Sequence, residues 1–154
     1  MILRERIRVK ATAERIWTIL GDPRRLSEWN PHCVDCEAEE GAVRVGLRFQ
    51  ATMRFGGGPE RLLECQVIAC EPARSLTLRF SGEAAGGSDE YVEEAYMLEP
   101  VEGGTKVRHE IDFSHSGLPE SLQVVLKVVH FMGRPLGTSP LKGLKELAEG
   151  ANGK

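Results

Sequence analysis

No stretch of this 154-residue chain approaches the ~20 consecutive apolar residues of a membrane-spanning helix. Stable membrane insertion is therefore not expected. Basic excess is missing as well: 20 Lys and Arg stand against 23 Asp and Glu, for a net charge of −3. A nucleic-acid binder would show a basic stripe instead, so no nucleic-acid partner is expected. The opening Met1-Ile2-Leu3-Arg4-Glu5-Arg6 lacks the apolar block of a secretory signal, which makes a cytoplasmic protein the expectation. Catalytic signatures are absent too. There is no Gly-x-Ser-x-Gly elbow and no His-Glu-x-x-His helix, and no two of the four histidines share one element at ligand spacing. The glycine pairs join strand to strand, with no helix N-terminus to cradle a phosphate. Hydrolytic and metal chemistry are unsupported, and no cofactor is implied.

Cysteine is sparse but spaced suggestively. Cys33-x-x-Cys36 has zinc-ligand spacing, and Cys65 and Cys70 could form a second half-site. Both pairs fall in strand-like runs, where residues three or five apart point to opposite faces. Neither pair is expected to clasp one ion, and four free thiols are expected in a reducing compartment. Elemental analysis should find no zinc; about one zinc per chain, lost in Cys33→Ser or Cys36→Ser, would overturn this.

What the chain does have is patterned hydrophobicity over a length that fits one domain, residues 1–150, with a frayed tail at 151–154. Leu3, Ile7 and Val9 alternate with Arg4, Arg6, Arg8 and Lys10, which predicts a half-buried strand. Thr12 is placed to cap a short helix bearing Ile16, Trp17, Ile19 and Leu20, ended by Gly21-Asp22-Pro23. A second short helix, over about Arg24 to Glu28, leads to Trp29-Asn30-Pro31. Strands then follow in series, with inner sets Val34, Cys36 and Ala38; Leu47, Phe49, Ala51, Met53 and Phe55; Leu63, Cys65, Val67 and Ala69; and Leu76, Leu78 and Phe80. The run from Tyr91 to Glu99 is ambiguous in phase. Val107, His109, Ile111 and Phe113 form the last inner set. Hairpin-length turns predict antiparallel pairing throughout. From Glu120 to Met132 the chain is apolar around most of a helix, with Gln123, Lys127 and His130 as a narrow polar stripe. Such a helix must be covered on most sides. Gly133 to Pro140 interrupts it, and Leu141, Leu144, Leu147 and Ala148 resume an apolar face.

Several segments in this order resemble one family. They are Ala13-Glu14-Arg15-Ile16-Trp17 with Leu20 and Asp22, Trp29-Asn30-Pro31, and Glu71-Pro72-Ala73-Arg74-Ser75-Leu76. Tyr96-x-Leu98-x-Pro100 with Gly103-Gly104-Thr105-x-Val107, and Gly143-Leu144-Lys145-x-Leu147, complete the set. The chain resembles the START-like (SRPBCC) superfamily, in particular its polyketide cyclase/dehydrase and lipid-transport-like members. That resemblance implies an α+β helix-grip fold: a curved antiparallel sheet of about seven strands wrapped around a long C-terminal helix, continuous or broken, with two short helices after the first strand. It also implies a deep pocket between sheet and helix for a small hydrophobic ligand such as a lipid, polyketide or quinone. Fold alone does not select among these.

The expected lining is Trp29, Phe49, Met53, Phe55, Leu78, Phe80, Tyr96, His109, Phe113, Val125, Val129 and Met132. His109 is the foremost polar candidate, because its phase places it with Val107 and Ile111 and its ordinary pKa lies near working pH. Tyr96 and Glu94 share one phase of the ambiguous strand; facing inward they join His109, facing outward Glu94 is a solvated charge. Trp17 is expected to pin the first helix to the sheet. Three readings follow. The first is a carrier or binding module for an apolar ligand. The second is a cyclase or dehydratase using His109 with Tyr96 or Glu94. The third is a partner-binding, co-chaperone-like module whose Glu120 to Met132 helix meets another protein or a second copy of itself in a homodimer.

Overall fold

The computed structural model describes residues 1–54, 58–82, 87–122 and 139–150. Strand β1 (Ile2–Val9) enters first and is followed by helix α1 (Ala13–Leu20). Thr12 caps that helix, its hydroxyl accepting the Arg15 amide at 3.1 Å. Ile16, Ile19 and Leu20 are buried, and Trp17 is half-buried against the same core. A 3-10 turn (Pro23–Arg25) and helix α2 (Leu26–Trp29) follow. The Asn30 side chain, itself buried, then accepts the His32 amide at 3.0 Å and turns the chain into the sheet.

Six more strands come in hairpin succession: β2 (Cys33–Glu37), β3 (Arg48–Met53), β4 (Arg61–Glu71), β5 (Ser75–Gly82), β6 (Gly87–Val101) and β7 (Gly104–Asp112). Their spatial order is β1-β7-β6-β5-β4-β3-β2, with every neighbouring pair antiparallel. The chain thus leaves β1, starts again at the far edge, and returns strand by strand until β7 lies beside β1. This return is what sets Glu5 of β1 opposite His109 of β7. The buried face carries Leu47, Phe49, Ala51, Met53, Leu63, Cys65, Val67, Leu76, Leu78, Phe80, Tyr96, Leu98 and Val107.

Two expectations of phase are corrected, each by a bulge, where one extra residue reverses the alternation. Between Cys33 and Asp35 the register against β3 shifts. Cys33 is therefore buried, Cys36 half-buried and Val34 46% exposed. The two cysteines do not point to opposite faces, as strict alternation required; both turn toward the core. A second shift, between Val67 and Ala69, exposes Ala69 and brings Cys70 to the side of Leu76. The four thiols are free, and burial holds Cys33 up at about 11 and Cys36 at about 12. Among the described residues no set of three or more His, Cys, Asp or Glu side chains is arranged to hold a metal ion.

Helix α3 (Pro140–Gly150) closes one end of the structure, burying Leu141, Leu144 and Ala148 against β1, α1 and α2. Lys145 Nζ donates to the Arg8 carbonyl at 2.7 Å, and the Lys10 amide donates to Glu149 at 2.7 Å. Gly143 lies on the Trp29 backbone so closely that a Cβ would meet the Trp29 carbonyl. The expected Glu120 to Met132 helix is helical at 120–122; the rest of it lies outside the described residues, as do Phe55, the Gly133 to Pro140 break as far as residue 138, and the tail at 151–154. Among the described residues no helix is long and apolar enough to cross a membrane.

Candidate functional site

The register of the three strands β1, β7 and β6 builds one polar cluster into the apolar face. Glu5 stands opposite His109, and His109 opposite Tyr96. Glu94, two residues from Tyr96, shares its face one rung along, opposite Ile111. The phase of β6 that sequence left open is thereby decided: Tyr96 and Leu98 are buried, and Glu94 faces the same side. The Tyr96 hydroxyl donates to Glu94 Oε2 at 2.9 Å, and its ring stacks on His109 with centroids 4.4 Å apart and planes 9° from parallel. Trp29 meets the Tyr96 ring edge-on at 5.7 Å. Ser139, just before α3, donates to Glu5 at 3.0 Å.

His109 sits between two carboxylates. Nε2 is 3.4 Å from Glu94 Oε2 and Nδ1 is 3.8 Å from Glu5 Oε2. Neither approach has hydrogen-bond geometry, and both ring nitrogens are buried without a hydrogen-bond partner among the described residues. The two carboxylates flank the ring and favour its charged form. Burial opposes a charged imidazole, but Glu5 and Glu94 outweigh it and push His109 up to about 9. Burial likewise works to raise Glu94, yet His109 and the Tyr96 hydroxyl hold its carboxyl below the ordinary range. Burial and the neighbouring Glu94 carboxylate drive the Tyr96 hydroxyl well above its usual value. At neutral pH the cluster thus holds an imidazolium, an ionised Glu94 and a neutral tyrosine.

Around this cluster the lining divides in two. Tyr96, Leu98, Val107 and His109 are sealed, whereas Val92, Ile111 and Phe113, farther along the same face, are only half-buried. The Glu94 and Glu5 side chains keep 17% and 25% of their surface. The inner face is therefore less covered beyond the His109 rung than at it. Of the expected lining residues, Trp29, Tyr96 and His109 come together here, with Glu94. Leu78 and Phe80 are buried on the adjacent strand β5, while Phe49 and Met53 are buried on β3, three strands from β6. Phe55, Val125, Val129 and Met132 lie outside the described residues. Sequence reasoning missed Glu5 and Ser139. The signal for Glu5 was present, since it alternates with the arginines of β1 and shares the phase of Leu3 and Ile7; Ser139 carries no such pattern.

Strand, two short helices, six antiparallel strands and a C-terminal helix define the helix-grip architecture of START-like proteins. A model of the family described as "Polyketide cyclase / dehydrase and lipid transport" matches residues 2–149, and the chain belongs to that family. Among solved structures it is similar to the protein MLL2253 of Mesorhizobium loti, at 21% identity and a TM-score of 0.67, with 97% of each chain covered. It is also similar to NE0264 of Nitrosomonas europaea, at 15% identity and a TM-score of 0.68, covering 98% of this chain and 96% of that one. The Aha1 dimer of Colwellia psychrerythraea matches at 23% identity and a TM-score of 0.60, covering 97% and 96%. At these identities the likeness concerns the fold. No curated protein matches the chain.

Proposed function

We propose that this protein binds and carries a small, mainly apolar molecule against the inner face of the sheet, and that it is not a catalyst. The observation that carries this reading is the half-buried apolar stretch Val92, Ile111 and Phe113 beside the Glu5, Glu94, Tyr96 and His109 cluster. Apolar surface left accessible on a sheet's inner face is what a greasy ligand covers, at ~25 cal/mol per Å². The family description, which includes lipid transport, supports the same reading. Native mass spectrometry with solvent extraction is expected to find a discrete apolar species bound to the purified protein. Phe113→Asp, folded by circular dichroism, should bind a neutral apolar dye about tenfold more weakly, the equivalent of ~1.4 kcal/mol. Unchanged dye affinity in that variant would sink the reading.

One observation favours a second reading, chemistry of the cyclase or dehydratase type: four titratable side chains, Glu5, Glu94, Tyr96 and His109, converge on one spot. Their protonation states weigh against it. Glu94 is held ionised and is a weak base, Tyr96 is a weak acid, and the imidazolium of His109 is sealed beneath the tyrosine ring. General acid–base work is best served by groups that titrate near the working pH. His109→Ala separates the two: a carrier keeps most of its affinity for apolar ligands, whereas an enzyme keeps binding and loses turnover. The partner-binding reading rests on the Glu120 to Met132 helix, most of which lies outside the described residues.

A further inference from the structure

Two features of the cluster are left open by its internal contacts. One is Glu94, whose side chain keeps 17% of its surface on the inner face while His109 behind it keeps 1%. The other is Trp29, 4% exposed, whose indole Nε1–H is buried without a hydrogen-bond partner among the described residues. Both adjoin Tyr96: the Trp29 ring meets the Tyr96 ring edge-on with centroids 5.7 Å apart, and the Tyr96 hydroxyl donates to Glu94. A buried donor without an acceptor is uncommon enough to call for an explanation. An ionised carboxylate only accepts hydrogen bonds, and an indole only donates one.

Resting on the ligand-binding reading, we infer that this subsite takes the hydroxyl head of an otherwise apolar molecule, an alcohol or a phenol, which donates to Glu94 and accepts from Trp29. The other common lipid heads each fail one half of the site. A carboxylate or phosphate could accept from the indole, but it would be brought against Glu94, a carboxylate that already shares the His109 ring with Glu5. An ammonium would be drawn to Glu94 yet has no lone pair for the indole. Only a group that both donates and accepts serves the two together. The apolar remainder of the ligand then lies along Val92, Ile111 and Phe113.

The test uses the whole chain and three ten-carbon ligands, 1-decanol, decylamine and decanoate, each displacing the neutral dye N-phenyl-1-naphthylamine. Decanol is expected to displace the dye at a concentration about tenfold below that needed by decanoate, the size of effect given by one hydrogen bond to a charged group. Indole emission from the protein should shift with decanol and not with decylamine. Glu94→Gln should bring decanol and decanoate to within about threefold of each other. Decanoate binding as well as decanol, or decylamine binding better than either, would overturn the hydroxyl subsite and leave the carrier standing. Failure of the dye and all three ligands to bind would remove both. If Glu94→Gln does not fold, the panel on the unaltered protein still decides.

Discussion

Gly143→Ala is expected to destabilise the protein by roughly 3 kcal/mol, lowering its thermal midpoint by about 10 °C. A helix interior ordinarily gains up to ~1 kcal/mol from this substitution, so the expected sign is opposite to the propensity. The cause is a backbone-to-backbone approach. A Cβ at position 143 would run into the Trp29 carbonyl, whose carbon lies 3.0 Å from the Cβ position. Backbone cannot rotate aside as a long side chain would, so α3 must retreat. Retreat loosens the buried Leu141, Leu144 and Ala148 and strains the ties from Lys145 to Arg8 and from Ser139 to Glu5. It also moves Trp29, so dye affinity should fall along with stability. Gly150, with nothing within 4 Å of its Cβ position, is the control; Gly150→Ala should change stability by less than about 0.5 kcal/mol. A thermal midpoint for Gly143→Ala equal to or above that of the parent would refute this account of how the helix is seated.

Much of the architecture was legible because alternation is a strong signal wherever one sheet face is buried. Leu47, Phe49, Ala51 and Met53, or Leu76, Leu78 and Phe80, declare their face without help. The failures at Val34 and Ala69 share one cause. A bulge inserts a residue without altering composition, so nothing in the Cys33 or Val67 neighbourhood announces that the phase reverses there. The site was half legible. His109 followed from its phase, but the phase of the Tyr91 to Glu99 run cannot be read from a stretch in which glutamates and apolar residues occupy both alternating sets. Pairing resolves it, by placing Tyr96 opposite His109. Glu5 was concealed by expectation rather than by pattern: a charged residue among arginines reads as part of a wet face. Its partner on the inner face comes from a strand about a hundred residues later in the chain, and such a pairing is fixed by topology.

Stability should fall by on the order of 3 kcal/mol between pH 6.5 and pH 9, and His109 should be responsible. The ring is pushed up from 6.5 to about 9 in the folded protein. Between those values the native state holds a proton that the unfolded chain has released, so each step up in pH favours unfolding. The contribution is complete below 6.5 and gone above about 9. Glu94 acts at the other end. Its folded value lies below 4.5, so its contribution is complete above 4.5 and is lost as pH falls through the folded value. The two together predict a plateau of stability from about pH 4.5 to 6.5, with a decline on either side. The buried thiols also weaken the alkaline side, but only from about 9 upward, where unfolded thiols ionise. Urea unfolding midpoints taken from pH 4 to pH 9.5, in parallel for the parent and His109→Phe, measure this directly. The variant leaves Glu5 and Glu94 facing each other across an uncharged ring, so it should be less stable at pH 6 and should show little slope from 6.5 to 9. Ring-proton shifts of His109 followed by NMR should titrate near 9. A histidine that titrates near 6.5, or a parent protein whose midpoint is flat from pH 6.5 to 9, would show that the two carboxylates do not hold the ring charged, and the protonation states that weigh against catalysis would go with it.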